Sequence, residues 1–460
     1  MVRTRFAPSP TGFMHIGGLR TALFCYLFAR KNGGKFILRI EDTDQARYVK
    51  GAVEKIYESL EMAGIVCDEG PHAGGDFGPY VQSQRKEIYL RYAEKLVAEG
   101  KAYYCNCPKP AEGEELNCNC RNCEIEPDGG DVVIRFAVPK SGTTTFSDVI
   151  FGEISVENAE IEDLVMVKSD GMPTYNFANI IDDHLMEISH IMRGTEFLAS
   201  TPKHKLMYEA FGWTPPTYCH LPPIMSPDGG KLSKRKGDAY FGDFVEKGFL
   251  PQALMNFIAF LGFAPPNNPE NKEIFTLAEL AEVFDLKGIN KSPAVLDMQK
   301  LRWMNGEYIK ALTADEFFVL VKGFSSKLDA FLMMTKERIS TLDEIDGMLD
   351  FVDELPNYDI ALFENKKNKI DVAVAGDMLS KVLPVLEKHE DWGADALKSR
   401  LSELAAELGV KNTLVMMPIR VALSGKETSP GGSIELLAAF GKDESVLRVK
   451  TALSKMENFK

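Results

Sequence analysis

The sequence predicts an α/β protein: a Rossmann-type parallel sheet interrupted by an inserted subdomain and followed by an all-α C-terminal region. Three observations carry this. A strand-like run, a helix-like run and a second apolar run succeed one another near the N-terminus. Residues from about 100 to 190 change character, to a cysteine-rich loop and then β-branched runs. From Leu250 onward the apolar residues fall mostly at helical spacing.

The first run, VRTRF (Val2 to Phe6), reads as a strand. In LRTALFCYLFAR, Leu19, Ala22, Leu23, Tyr26 and Leu27 share one helical face, and Gly33-Gly34 stops the helix. KFILRI is a short apolar strand ending at Glu41. Strand, helix and strand in such close succession form a βαβ unit. That implies a parallel sheet with ligands at the carboxyl ends of its strands, and His15 and Glu41 fall at those ends. DVVIRFAV and IEDLVMVK read as strands within the insert, and a helical pattern and a basic loop return between Thr201 and Lys236. Leu250, Ala253, Leu254, Phe257, Ile258 and Leu261 form an apolar helical stripe. Leu397, Leu401, Leu404 and Leu408 form another, closed by Gly409.

Of the 460 residues, 45% are hydrophobic and 26% charged, as in a globular chain with a sizeable core. There is no run of eighteen apolar residues and no leader-like segment, so we expect no membrane span and a cytoplasmic protein. The net charge of −14 argues against nucleic-acid binding through bulk charge, but not against a basic face. Eight cysteines in such a chain do not suggest a disulfide framework.

Two segments carry chemistry. In APSPTGFMHIGG, a strand-to-helix turn offers backbone N–H groups and a positive dipole end, both suited to phosphate. Gly17 and Gly18 allow close approach, and His15 can donate to a phosphate oxygen. In GGKLSKRKGD, Lys231, Lys234, Arg235 and Lys236 lie between glycines and can clamp a polyphosphate. Either segment alone reads more simply as a turn or a solvated loop. Their pairing is the signal.

The stretches RFAPSPTGFMHIGGLRTALF, GGKFILRIEDTD, MPTYNFANIIDDHLMEISHIMRGTEFLASTPKH, KLSKRKGD and MPIRVALSGKETSPG resemble the class I aminoacyl-tRNA synthetases, specifically those of the bacterial glutamyl type. In that family HIGG stands where many class I enzymes have HIGH. The resemblance implies attachment of L-glutamate to tRNA(Glu) through glutamyl-adenylate, with ATP and Mg2+; charging of tRNA(Gln) as well is the alternative within the family. It implies an ATP site of His15, Gly17, Gly18, Glu196, Lys231 and Lys234, with His15, Lys231 and Lys234 catalytic. Arg5 and Arg193 are candidates to grip the carboxylates of glutamate, since a guanidinium binds a carboxylate bidentately. Glu41 can take the ammonium. Ala7, Ser9, Tyr175 and Asn179 complete the glutamate pocket by resemblance.

The expected segments are 1–100 and 186–240 for the two catalytic halves and 101–185 for an acceptor-end-binding insert. A helical stem-contact domain at 241–315 and an α-helical anticodon-binding domain at 316–460 follow. We expect a monomer. The helical tail argues against a tRNA-modifying relative. His15, Lys234 and Arg193 argue against an inactive RNA-binding paralogue, and the glutamate-pocket residues against a small-molecule nucleotidyltransferase. Trp303 is read as a packed plug and Arg420 as a candidate tRNA contact.

Five clustered cysteines predict a structural zinc site, for which four suffice. Cys105, Cys107, Cys120 and Cys123 would give C-x-C…C-x-x-C, with Cys118 as the alternate ligand. Relatives with a C-x-C…C-x-H knuckle differ here, because no histidine lies between Cys105 and Cys123.

Overall fold

The computed structural model describes every residue except Phe13, 109–117, Glu124, 126–130, Asp228, 231–239, Pro269, Ser326 and 458–460. It divides into two compact units. One comprises Met1–Glu246 with Pro251–Leu301, the other Lys247–Leu250 with Arg302–Lys460.

The first unit runs β1 (Arg3–Phe6), α1 (Ile16–Lys31), β2 (Lys35–Leu38), α2 (Ala52–Met62) and α3 (Lys86–Ala98), then β3 (Ala102–Cys105) and β4 (Val133–Phe136). It continues with β5 (Thr143–Asp148), β6 (Gly152–Glu157), β7 (Val165–Val167), α4 (Tyr175–Leu185), β8 (His190–Gly194), α5 (Thr201–Phe211) and β9 (Thr217–Leu221). A six-stranded sheet has the order β2-β1-β8-β9-β5-β6. All its pairings are parallel except the β5–β6 hairpin. β3, β4 and β7 form a separate antiparallel sheet. The region read as one insert therefore divides in two. Its middle hairpin extends the main sheet, and α4 buries Phe177, Ala178, Ile180 and Ile181 in a core shared with α3, α5 and the β3-β4-β7 sheet.

The βαβ reading holds: β1 and β2 pair in parallel, with Arg5 opposite Ile37. β2 stops at Leu38, before the expected end at Glu41. The chain nevertheless stays in register, because Arg39 N–H donates to Phe6 O and Glu41 N–H to Pro8 O, each at 3.0 Å. Glu41 is thereby carried past the sheet edge beside Ser9. α1 buries more than the predicted stripe, with Phe24 and Cys25 enclosed as well. The reason is a second layer: Phe24 packs on Phe263 and Phe284 with ring centroids 6.2 and 5.1 Å away. These residues follow helices Pro251–Ala259 and Leu277–Val283. α1 is thus covered on both sides.

The second unit is helical among its described residues, with long helices at Val372–Lys388, Ala394–Glu407 and Asn412–Ser424. The run Ser433–Glu457 is broken at Gly441, whose φ is +72°. The Leu397, Leu401 and Leu404 stripe is buried, and Gly409 ends it with φ +64°. Trp303 corrects an expectation, being 45% exposed. Its helix buries Leu301, Met304, Asn305 and Ile309, and this spacing turns position 303 outward. Arg420 is half-buried. No described helix is long and apolar enough to cross a membrane.

Candidate active site

At the carboxyl ends of β1, β8 and β9 lies a cavity of about 680 Å³. Arg5, Ala7, Ser9, His15, Gly17, Gly18, Glu41, Tyr175, Asn179, Arg193 and Glu196 all line it. These are all the predicted ATP- and glutamate-site residues except Lys231 and Lys234, which lie outside the described residues.

His15 is the N-cap of α1, with extended backbone (φ −86°, ψ 146°). Its Nδ1 accepts from Gly17 N–H at 3.0 Å, so in the neutral ring the proton is on Nε2. A Cβ on Gly18 would meet Met14 Sδ at 3.6 Å and Phe6 at 3.9 Å, ordinary contact distances. The protein's own packing therefore does not require glycine there, which leaves ligand approach as the reading. Gly194 is different. The Glu196 carboxylate lies where a Cβ would stand, so a side chain at 194 would displace it.

The wall around Glu41 is built of buried charges. Arg39 Nη2 donates to Glu41 Oε1 at 2.8 Å, and Arg39 Nη1 to Asp183 Oδ1 at 2.8 Å. Arg5 Nε donates to the same Asp183 oxygen at 3.1 Å, and Asn179 Nδ2 to Glu41 Oε1 at 3.3 Å. Burial pushes the Glu41 carboxyl above its usual range, opposed by Arg39. Burial acts on Asp183 in the same sense, but Arg5 and Arg39 together hold it below. Glu41 is thus already committed through one oxygen, a constraint its position on a strand end did not reveal.

Arg193 stands on different supports. Its Nε donates to His220 Nε2 at 3.1 Å, Nη1 to His204 Nδ1 at 3.2 Å and Nη2 to Thr201 Oγ1 at 2.9 Å. His220 Nδ1 in turn lies 2.7 Å from Asp148 Oδ2.

The sequence reading also missed Arg20 and Arg47, which line the cavity. Arg20 is buried and reaches Leu261 O at 3.0 Å and Pro222 O. Burial lowers its pKa to about 10. Its signal was a cation among the apolar positions of α1.

Away from the cavity, Cys105, Cys107, Cys118 and Cys120 bring their sulfurs within 4.8 Å of one another. The Cys107–Cys120 and Cys105–Cys118 separations are 3.3 and 3.6 Å. Tetrahedral zinc–sulfur bonds would set sulfurs about 3.8 Å apart, so this donor set fits zinc. The clustered set contains the alternate ligand, Cys118, in place of Cys123. Cys123 follows the short 3-10 turn Cys120–Asn122, is exposed and has its sulfur 3.5 Å from Asn119 O.

A glycine-flanked turn at the N-terminus of the first helix, above the carboxyl ends of a parallel sheet, defines a nucleotide-binding α/β enzyme. Comparison with known proteins gives the family. Residues 1–303 match the catalytic domain of tRNA synthetases class I (E and Q), and residues 298–453 match an anticodon binding domain. The chain belongs to the class I tRNA synthetases (E and Q). It is 50% identical to a glutamate–tRNA ligase of Clostridium novyi, over 99% of this chain and 98% of that one. It is 48% identical to that of Clostridium acetobutylicum, over 99% of each chain. The glutamate tRNA ligase of Elizabethkingia meningosepticum, solved in complex with its amino acid, superposes with a TM-score of 0.87. It is 35% identical, and 99% of each chain is covered.

Proposed function

We propose that the chain is a glutamate–tRNA ligase. A carboxylate oxygen of L-glutamate attacks the α-phosphorus of ATP, the bond to the bridging oxygen breaks, and pyrophosphate leaves. A ribose hydroxyl of the terminal adenosine of the tRNA then attacks the acyl carbon and releases AMP. The observation that carries this reading is the convergence of His15, Glu41, Arg5 and Arg193 on one cavity.

The protein supplies no covalent nucleophile, so its contribution is positioning and charge stabilisation. His15 donates from Nε2 to a phosphate oxygen, and the N–H groups opening α1 support it. Arg5 and Arg193 hold the carboxylates of glutamate, and Glu41 the ammonium, with Ala7, Ser9, Tyr175 and Asn179 forming the rest of the pocket. Gly17, Gly18 and Glu196 border the nucleotide. Lys231 and Lys234 supply charge to the phosphates. Magnesium bound with ATP would supply positive charge to offset the phosphates.

We assign 1–100 and 186–240 to catalysis, 101–185 to the acceptor end, 241–315 to the stem and 316–460 to the anticodon. The enzyme is cytoplasmic and acts as a monomer on tRNA(Glu), with tRNA(Gln) as a second substrate to be tested. Charging of both purified tRNAs is the direct measurement. Lys234→Ala should abolish glutamate-dependent pyrophosphate exchange with tRNA present, and near-normal exchange would remove Lys234 from the site.

Zinc bound by Cys105, Cys107, Cys118 and Cys120 would be structural, since four thiolates leave no open position. Elemental analysis should find about one zinc per chain in the wild type and in Cys123→Ser, and none in Cys118→Ser. Loss of zinc from Cys123→Ser alone would restore the other ligand set.

A further inference from the structure

We propose that His204 and His220 are positioning residues: they hold Arg193 in a cradle of neutral acceptors, so that its charge is reserved for a carboxylate of the amino-acid substrate. This rests on the reading that Arg193 binds glutamate.

Arginine can only donate, so the two imidazole nitrogens it meets must carry lone pairs. That fixes both rings. His220 has its proton on Nδ1, shared with Asp148 Oδ2 at 2.7 Å. His204 has its proton on Nε2, shared with Asn176 Oδ1 at 2.9 Å. Thr201 Oγ1 accepts the third bond and donates its own proton to Phe197 O at 3.1 Å. Three of the five guanidinium N–H groups are thus taken by neutral acceptors. The others are on a side chain that lines the cavity, beside the neutral hydroxyl of Tyr175.

A buried guanidinium usually faces a carboxylate, as Arg3, Arg5 and Arg39 do. Among the described residues, none pairs with Arg193. The groups facing the cradle are Arg5 on β1, Asp148 on β5, Tyr218 on β9, Tyr175 on α4, Lys203 on α5 and Glu196 in the turn after β8. Asp148 acts on Arg193 through His220. Burial lowers the pKa of both histidines, and Arg193 adds to this by repulsion, so both stay neutral acceptors at ordinary pH.

His204→Asn and His204→Asp separate charge from shape. Either side chain sets an oxygen where Nδ1 stands, but only aspartate is an anion. His204→Asp should raise the KM for glutamate about 30-fold, the loss expected when a charge-assisted bond is withdrawn from the ligand. It should leave the KM for ATP in place, and His204→Asn should raise the glutamate KM only a few-fold. Equal effects of the two variants would overturn the cradle.

Asn176→Asp, at a half-buried position, tests the same idea without touching the ring. Its carboxylate would favour the doubly protonated imidazole, which cannot accept from Arg193. A new acid limb should appear in kcat/KM for glutamate and not in that for ATP. A profile like the wild type's would count against the proposal, including where His204→Asp fails to fold. Arg193→Lys is the control for the underlying reading. If it leaves the glutamate KM unchanged, the binding role of Arg193 fails, whatever the histidine variants do.

Discussion

The two walls of the cavity hold their arginines by opposite means. On one, Arg5, Arg39 and Arg85 face Glu41, Asp182 and Asp183, three cations against three anions. On the other, Arg193 rests on two imidazoles and a hydroxyl. The first arrangement is neutral overall, and it presents Glu41 and Arg5 to the cavity. The second presents a cation. The difference teaches that a buried charge can be fixed without being cancelled, provided that its partners accept hydrogen bonds and carry no charge. A ligand with an ammonium and two carboxylates meets complementary groups on both sides.

The largest expected effect lies on the ion-paired wall. Asp183 accepts from both Arg5 and Arg39 and is fully enclosed. Asp183→Asn would remove the anion that two guanidiniums share, leaving Arg39 with Glu41 and Arg5 with no carboxylate partner among the described residues. Breaking a buried pair typically costs about 3–5 kcal/mol. We expect the upper end of that range, read from chemical unfolding of the full chain. A loss below about 1 kcal/mol, the scale of an exposed pair, would mean that the wall does not depend on charge, and the contrast between the walls would fall.

Much of this was legible in the sequence, for physical reasons that differ by residue. His15 and Glu41 were found because a strand-to-helix turn and a strand end are local features, written in consecutive residues. The supports were not local. Asp183 meets Arg5 and Arg39 across the fold, and nothing in IDDHL marks that both aspartates turn inward, Asp182 to Arg85 and Asp183 to Arg5 and Arg39. His204 and His220 lie on different elements, and only the packing of α5 on the sheet joins them at Arg193. The cysteines show the same limit. C-x-C and C-x-x-C both suit zinc, and it is the path of the short turn Cys120–Asn122 that leaves Cys123 outside. That the β5–β6 hairpin joins the main sheet was not legible either, because hairpin pairing to a distant sheet has no signature in β-branched runs.

A smaller effect sharpens the comparison from the same strand. Arg3 and Arg5 are two residues apart on β1 and so share a face, but Arg3 does not line the cavity. It forms a two-pronged pair with Glu69, at 2.8 Å for each bond. Tyr80 adds a third bond to the carboxylate at 2.7 Å. The Arg3 hydrogen bonds lead in pulling the Glu69 pKa down to about 2 from 4.5. A carboxyl lowered on folding stabilises the folded state above its unfolded pKa, and loses that contribution as pH falls through the folded value. The shift corresponds to about 3 kcal/mol at neutral pH. Glu69→Gln should therefore cost about that much at pH 7, with the glutamate KM nearly unchanged. The gap between variant and wild type should narrow from about pH 4.5 and close near pH 2. A gap independent of pH would assign the loss to packing. A large rise in glutamate KM would join Arg3 to the cavity wall and blur the line drawn between a structural arginine and a binding one.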